Sequence, residues 1–256
     1  MSTQPTQPKQ PTQPTQLMQP TQPTYSSPII LGIESATSRV GCAIGTPLGI
    51  LAARESNKPR QHAESLVPQI AEILDEAALS FTDIDALAVD VGPGLYTGLR
   101  VGITTAITMA YALDKSLVAL TSLELVAHAI RSPEHSYEQI DVVIDARRGE
   151  VFHAAFTSAL KPISEATVAK PEDLAKKLAQ EVPNTCLVGD GVEAYQAIFA
   201  QAGLSTNNAT IYPSAETSVE LAVAAVLANK TTEPAKVRPL YLRGPDAQPI
   251  VVPTRS

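Results

Sequence analysis

The chain is poor in several features that would each define a class of protein. It has two cysteines, Cys42 and Cys186, too few for a disulfide framework or a zinc cluster. Free thiols fit a reducing compartment, so a cytoplasmic protein is expected. No apolar run reaches the roughly 18 residues of a membrane span, and the N-terminal stretch lacks the apolar core of a secretory signal. Cations are outnumbered: 19 Lys and Arg against 26 Asp and Glu leave a net charge of −7. That balance disfavours a broad nucleic-acid-binding face and an electrostatic membrane anchor. The histidines, His62, His128, His135 and His153, form no H-x-x-x-H pair, because Leu66 stands four residues beyond His62. There is no G-x-S-x-G elbow, and neither cysteine has a histidine near it in sequence. No catalytic residue and no metal ligand is therefore assigned.

What is present is long enough for one large domain or two lobes, 256 residues of which 44% are hydrophobic. Residues 1–28 are a different material, a P-T-Q repeat too poor in apolar surface to offset the cost of ordering it. A disordered, partly polyproline-II tail is expected there. From Ile29 the pattern turns periodic. Residues 29–34, 39–45 and 50–56 are short β-like runs, the last two joined at Thr46-Pro47-Leu48-Gly49, which predicts an antiparallel meander. Leu66, Ile70, Ile73 and Leu74 share one face of a helix over 65–79, with Ser65 as its N-cap and Pro68 in its first turn. Residues 84–91 read as a strand, 97–114 as a helix, 117–120 as a strand and 122–131 as a helix.

The order β-β-β-α-β-α-β-α then restarts. Strands are expected at 141–145, 150–157, 185–188 and 209–212, and helices at 171–180, 192–201 and 217–229. At an offset of 111, Ile33-Glu34 matches Ile144-Asp145, Val40 matches Val151 and Ala43 matches Ala154. In both copies an apolar strand ends on a carboxylate and turns into a second strand. The expected fold is α/β: a duplicated actin-like two-lobe fold, the plan of the actin, sugar-kinase and chaperone-ATPase superfamily, with lobes at 29–132 and 133–256. In that plan the two carboxylate-bearing turns face the cleft where nucleotide phosphates sit.

Those turns supply the candidate nucleotide ligands. In the first, Glu34, Ser35 and Thr37 offer a carboxylate, hydroxyls and backbone N–H groups; in the second, Asp145 and Arg147 offer a carboxylate and an anion partner. The phosphotransferase class uses Asp at the first turn, so the longer Glu34 puts catalysis in doubt. The segment Gly92-Pro93-Gly94-Leu95-Tyr96-Thr97-Gly98-Leu99-Arg100 fits neither a Walker A loop nor G-x-G-x-x-G. It is either an anion site at a helix N-terminus or a tight strand–helix turn, with Thr97 able to cap the helix. The helix it opens carries Gly98, Gly102, Ala106 and Ala110 at four-residue spacing. That row lets another backbone approach closely, either the protein's own sheet or a partner helix.

Several segments together resemble one family. LGIESATSRVGCAIG, HAESLVPQI, VGPGLYTGLRVGITTAITMAYAL, VVIDARRGEVFHAAF and PLYLR at 239–243 are similar to the TsaB (YeaZ) family of bacterial tRNA threonylcarbamoyladenosine biosynthesis proteins. The resemblance runs from Ile29 to about Arg243 and leaves out the Pro-rich tail. It implies an actin-like fold whose 217–229 helix returns to the first lobe. It also implies a direct partner, TsaD, a paralogue that holds the metal and performs the transfer, and a further one, TsaE, an ATPase that completes the complex. The reaction is threonylcarbamoyl transfer to the N6 amine of the tRNA adenosine beside the anticodon. By this resemblance the chain is a required non-catalytic subunit that reaches tRNA mainly through the complex. It needs no cofactor alone, and ATP or ADP would bind with the partner. The helix faces Leu66, Ile70, Ile73, Leu74 and Gly98, Gly102, Ala106, Ala110 are the candidate partner interface, and the free protein could pair with itself through them. The rival readings are an actin-fold ATPase or phosphotransferase using Glu34 and Asp145, and a metal-dependent glycoprotease-like peptidase.

Overall fold

Strand β1 (Ile30–Glu34) is buried on both faces, as its unbroken apolar run requires. It pairs antiparallel with β2 (Val40–Thr46), which pairs antiparallel with β3 (Gly49–Ser56). On its other edge β1 pairs parallel with β4 (Ala86–Asp90), and β4 with β5 (Ser116–Leu120), giving the order β3-β2-β1-β4-β5. Helices α1 (His62–Glu76) and α2 (Tyr96–Leu113) cover one face of this sheet. The computed structural model from which these elements are read describes residues 27–57, 62–130, 137–181, 185–206 and 210–244. Most of the Pro-rich tail expected at 1–28 lies outside them.

Helix α1 begins at His62, so Ser65 is not its N-cap and Pro68 lies inside the helix, not in its first turn. Proline removes one donor there. Pro68 and Glu64 are both exposed, so the carbonyl that loses its partner faces water. Helix α2 ends on Asp114 in the left-handed conformation, whose N–H closes the last turn.

The second sheet repeats the plan of the first. After α3 (Ser122–Ala129), capped by a reciprocal Thr121–Glu124 box, come β6 (Gln139–Arg147) and β7 (Glu150–Thr157) as an antiparallel hairpin. Strand β8 (Thr167–Ala169) pairs antiparallel with β7, and β9 (Thr185–Val188) parallel with β6. The order β8-β7-β6-β9 thus mirrors β3-β2-β1-β4. Helices α4 (Pro171–Glu181), α5 (Asp190–Ala194) and α6 (Gln196–Gln201) close one face around Val143, Val151, Leu174, Leu178 and Phe199. On the other face Val142, Ile144, Phe152 and Phe156 pack with Leu123 and Val126 of α3.

Helix α7 (Ala215–Leu227) leaves the second half and packs on the free face of the first sheet. Glycine makes that approach possible: a Cβ on Gly32 would stand 2.5 Å from the Ala215 carbonyl oxygen and 2.9 Å from Val219 Cγ2. The chain then crosses back, with Leu240 N–H donating to the Val91 carbonyl at 2.7 Å. Three expectations fail in the second half. Residues 210–212 form no strand. The helix expected over 192–201 is two short ones, broken at Tyr195, whose φ of −122° leaves the helical region. Strand β8, unforeseen, is three residues held by pairing to β7, too short for any pattern to show.

Candidate functional site

The end of β1 is locked from within. Glu34 is buried, and its Oε1 accepts the N–H of Ala36 at 2.7 Å. The Ser35 hydroxyl donates to the Gly98 carbonyl at 2.8 Å, and Thr37 Oγ1 accepts the Arg39 N–H at 3.2 Å. The loop before α2 clamps onto this turn. Leu95 N–H donates to the Ala36 carbonyl at 2.6 Å, and a Cβ on Gly94 would stand 2.2 Å from that same oxygen. Of the two readings for this glycine-rich segment, close backbone approach accounts for Gly94, and a φ of 106° accounts for Gly92. The N-cap of α2 is Leu95, with no side chain bonded to the helix end. Thr97 therefore does not cap it; it sits one residue into the first turn.

A third carboxylate belongs here. Asp90 ends β4 as Glu34 ends β1, and the two strands run parallel side by side. The repeated pattern of an apolar strand closing on an acid was the signal for it. Asp90 is buried, its Oδ1 accepts the Gly92 N–H at 2.7 Å, and both its oxygens accept from the Ser122 hydroxyl, at 2.9 and 2.7 Å. Burial pushes its carboxyl up to about 7 despite these bonds. Burial, with the Asp90 charge beside it, also pushes Glu34 well above the usual carboxylate range. An acid raised in the folded state stabilises fully below its unfolded value, and that contribution is lost as pH rises through the folded value. Stability is therefore expected to fall between about pH 4 and pH 7 on account of Asp90, raised from 3.8 to about 7. Asp90→Asn should flatten that part of the curve in urea titrations across this range; an unchanged profile would contradict the assignment.

The second turn is more open. Asp145 Oδ1 accepts the Arg147 N–H at 2.8 Å, and Oδ2 pairs with Arg147 Nη1 at 2.9 Å. Asp190 Oδ1 accepts the Asp145 N–H at 3.0 Å, and burial raises the Asp190 carboxyl. The hairpin tip runs through Arg147, Arg148 and Gly149, with φ of 62°, 59° and 76°. The two turns do meet: Ala36, Thr37 and Ser38 face Asp145, Arg147 and Asp190 across a crevice. Its volume is about 10 Å³, whereas small-molecule sites measure roughly 300–1,000 Å³. Glu34 and Ser35 are buried and do not line it, so no nucleotide is accommodated between the turns in this conformation. A larger cavity, about 430 Å³, opens beside the crevice between the α2 N-terminus, the β6–β7 tip and residues 240–244.

The eight candidate interface residues face inward. Leu66, Ile70, Ile73 and Leu74 are buried in the core of the first sheet, with Ala106 and Ala110. Gly98 is buried beneath Ser35, and a Cβ on Gly102 would stand 2.2 Å from Ser35 Oγ. The small-residue row lets α2 lie close on its own sheet. The outward faces differ in character. Helix α2 carries one charged residue, Arg100, and presents Thr104, Thr108, Tyr111 and Ala112 to solvent. Beside it α1 exposes Val67, Pro68 and Ala71.

Two sheets built on one plan, meeting at the carboxylate-ended turns of their first strands, define a duplicated actin-like α/β protein. Residues 50–249 match the model of the family described as TsaD, tRNA N6-adenosine threonylcarbamoyltransferase. The chain is 30% identical over 219 residues to the tRNA threonylcarbamoyladenosine biosynthesis protein TsaB of Escherichia coli, covering 84% of this chain and 94% of that one. It is 31% identical over 196 residues to TsaB of Haemophilus influenzae, covering 72% of this chain and 80% of that one. The solved structure of YeaZ from Pseudomonas aeruginosa superposes with a TM-score of 0.71 at 25% identity, over 84% of this chain and all of that one. The chain belongs to the TsaB (YeaZ) family. Among the described residues no helix is long and apolar enough to cross a membrane.

Proposed function

We propose that this chain serves in the biosynthesis of threonylcarbamoyladenosine in tRNA, in the cytoplasm, as a required subunit that does not itself carry out the transfer. One observation carries the non-catalytic part of that reading. The carboxylates at the ends of β1 and β4 are buried and already bonded to Ala36, Gly92 and Ser122. Raised as they are, they are poor ligands for a cation, and the crevice above them is closed. The transfer then falls to the paralogue TsaD, with TsaE completing the complex. ATP or ADP, where it binds, needs the partner to complete its site, and calorimetry on the isolated chain should show no tight ATP binding. Depletion of this protein should abolish the modified nucleoside in total tRNA, read by mass spectrometry. Undiminished modification, with no second TsaB-like chain present, would overturn the assignment.

What α1 and α2 leave outside supports these two helices as the partner's place. The outer face of α2, uncharged beyond Arg100 and flanked by Val67, Pro68 and Ala71 of α1, suits a paralogue that offers its own equivalent pair, and at low partner concentration it suits self-association. An interface of standard size buries about 800 Å² per subunit. Thr108→Arg places an unpaired charge at the middle of that surface. As an exposed substitution it should change stability by about 0.5 kcal/mol or less. It should weaken TsaD binding at least tenfold, about 1.4 kcal/mol. Pull-down and titration against the organism's TsaD check this; unchanged affinity in a folded variant would remove the face from the interface.

A further inference from the structure

We infer that the arginine- and tyrosine-lined mouth of the 430 Å³ cavity takes a single-stranded RNA segment, with phosphates on the arginines and a base on the tyrosine stack. The inference rests on the tRNA-modification reading above and adds to it a direct contact by this chain. Three elements distant in sequence build the mouth. The first turn of α2 brings Tyr96, Thr97 and Arg100, the β6–β7 tip brings Arg147 and Arg148, and the segment after α7 brings Tyr241 and Arg243. Tyr96 and Tyr241 stack with centroids 4.8 Å apart and an interplanar angle of 29°. The Arg100 guanidinium lies 4.0 Å over the Tyr96 ring, donates to the Tyr96 hydroxyl, and reaches the Tyr241 hydroxyl at 3.3 Å. The two rings remain exposed, 37% for Tyr96 and 39% for Tyr241.

Charge at this mouth runs against that of the whole chain. Arg100, Arg147, Arg148 and Arg243 stand against Asp145, Glu150 and Asp190, one cation in excess on a protein of net charge −7. Two of the acids orient two of the arginines: Asp145 pairs with Arg147 at 2.9 Å and Glu150 with Arg243 at 3.0 Å. The 18-residue helix α2 also ends here without a side-chain cap, so its first N–H groups and the positive end of its dipole point toward the mouth. Guanidinium forks beside exposed aromatic rings match phosphates beside a bare base. An acidic peptide would use the arginines but leave the ring stack without a purpose. Paired RNA keeps its bases stacked inside the helix and cannot offer one to the rings, so an unpaired loop is the ligand that uses both.

The test is fluorescence anisotropy on the full chain with a labelled RNA stem-loop carrying an unpaired loop, and with the fully paired duplex of the same stem. The stem-loop should bind in preference to the duplex. The logarithm of its affinity should fall with the logarithm of salt at a slope of about −2, the value for about three phosphates on a single strand. Arg147→Ala combined with Arg148→Ala should weaken binding about tenfold and reduce the slope by about 1.4, two contacts' worth. Tyr241→Ala should weaken binding about tenfold without changing the slope, and Tyr241→Phe should restore it by keeping the ring. Thermal melts of each variant separate loss of binding from loss of fold. Equal binding of stem-loop and duplex would overturn the inference. So would binding indifferent to the arginine pair and to Tyr241→Ala, full displacement of the RNA by ATP or by a poly-glutamate peptide, or no binding at low salt. If depletion abolishes the tRNA modification while the face binds no RNA, the inference falls and the functional reading stands. If depletion leaves the modification intact, the functional reading falls whatever the RNA does.

Discussion

His153→Leu is expected to cost about 3–5 kcal/mol of stability, because it leaves a buried carboxylate without its main partner. Asp141 is fully buried in β6, and His153 nearly so in the neighbouring β7. Their contact, His153 Nε2 to Asp141 Oδ1, is 2.7 Å. Facing an ionised carboxylate, Nε2 carries the hydrogen and donates it. The other carboxylate oxygen accepts from Gln139 Nε2 at 2.9 Å and from the Thr185 hydroxyl. Burial alone would raise the Asp141 carboxyl, but the bonds from His153, Thr185 and Gln139 outweigh it and hold the acid below its ordinary value. An acid lowered in this way contributes stability that is fully present above its unfolded value of 3.8 and is lost as pH falls through the folded value. The wild type should therefore lose this contribution below about pH 4. Removing His153 should raise the carboxyl and so abolish that acid-side loss; once the carboxyl lies above 3.8 the sign reverses, and the variant should lose stability as pH rises above about 4. Urea unfolding at several pH values measures both effects. A variant as stable as the wild type would show that the pair contributes nothing.

Gly102→Leu is expected to destabilise by about 1–3 kcal/mol through overpacking. The first atom of the new side chain already conflicts with Ser35 Oγ, 2.2 Å from the ideal Cβ position, and Ile33 Cγ2 stands at 3.4 Å. Relief requires α2 to lift or Ser35 to turn away, and turning forfeits the Ser35–Gly98 hydrogen bond that ties β1 to the helix start. For a chain of this length the melting temperature should drop by roughly 2–4 °C for each kcal/mol. Thr108→Arg, on the opposite face of the same helix, should leave the melting temperature alone and act on partner binding. Scanning calorimetry on the two variants separates the faces. A fully stable Gly102→Leu protein would mean that the small-residue row is not pressed against the sheet.

Binary patterning alone determined the elements of the first half, the restart of the plan in the second, and the carboxylates that close β1 and stand two residues before the end of β6. Each of those is a local property: a strand buried on both faces reads as a continuous apolar run wherever it lies in the chain. The family likeness was legible for the same reason, being carried by contiguous segments. Locality is also why other features were not legible. A row of Gly98, Gly102, Ala106 and Ala110 permits close approach by any backbone, and only the tertiary structure decided that the chain's own sheet fills the space. The same packing turned Leu66, Ile70, Ile73 and Leu74 inward and left Thr104, Thr108 and Ala112 of α2 in solvent. Glu34 and Asp145 look equivalent in sequence, yet burial locks one fully inside and leaves the other partly open at the crevice. Tyr241 meets Arg100 across 141 residues, and no window of sequence brings them together. The fold does so because the chain, having wrapped α7 onto the first sheet, must cross back between the halves at the height of the α2 N-terminus.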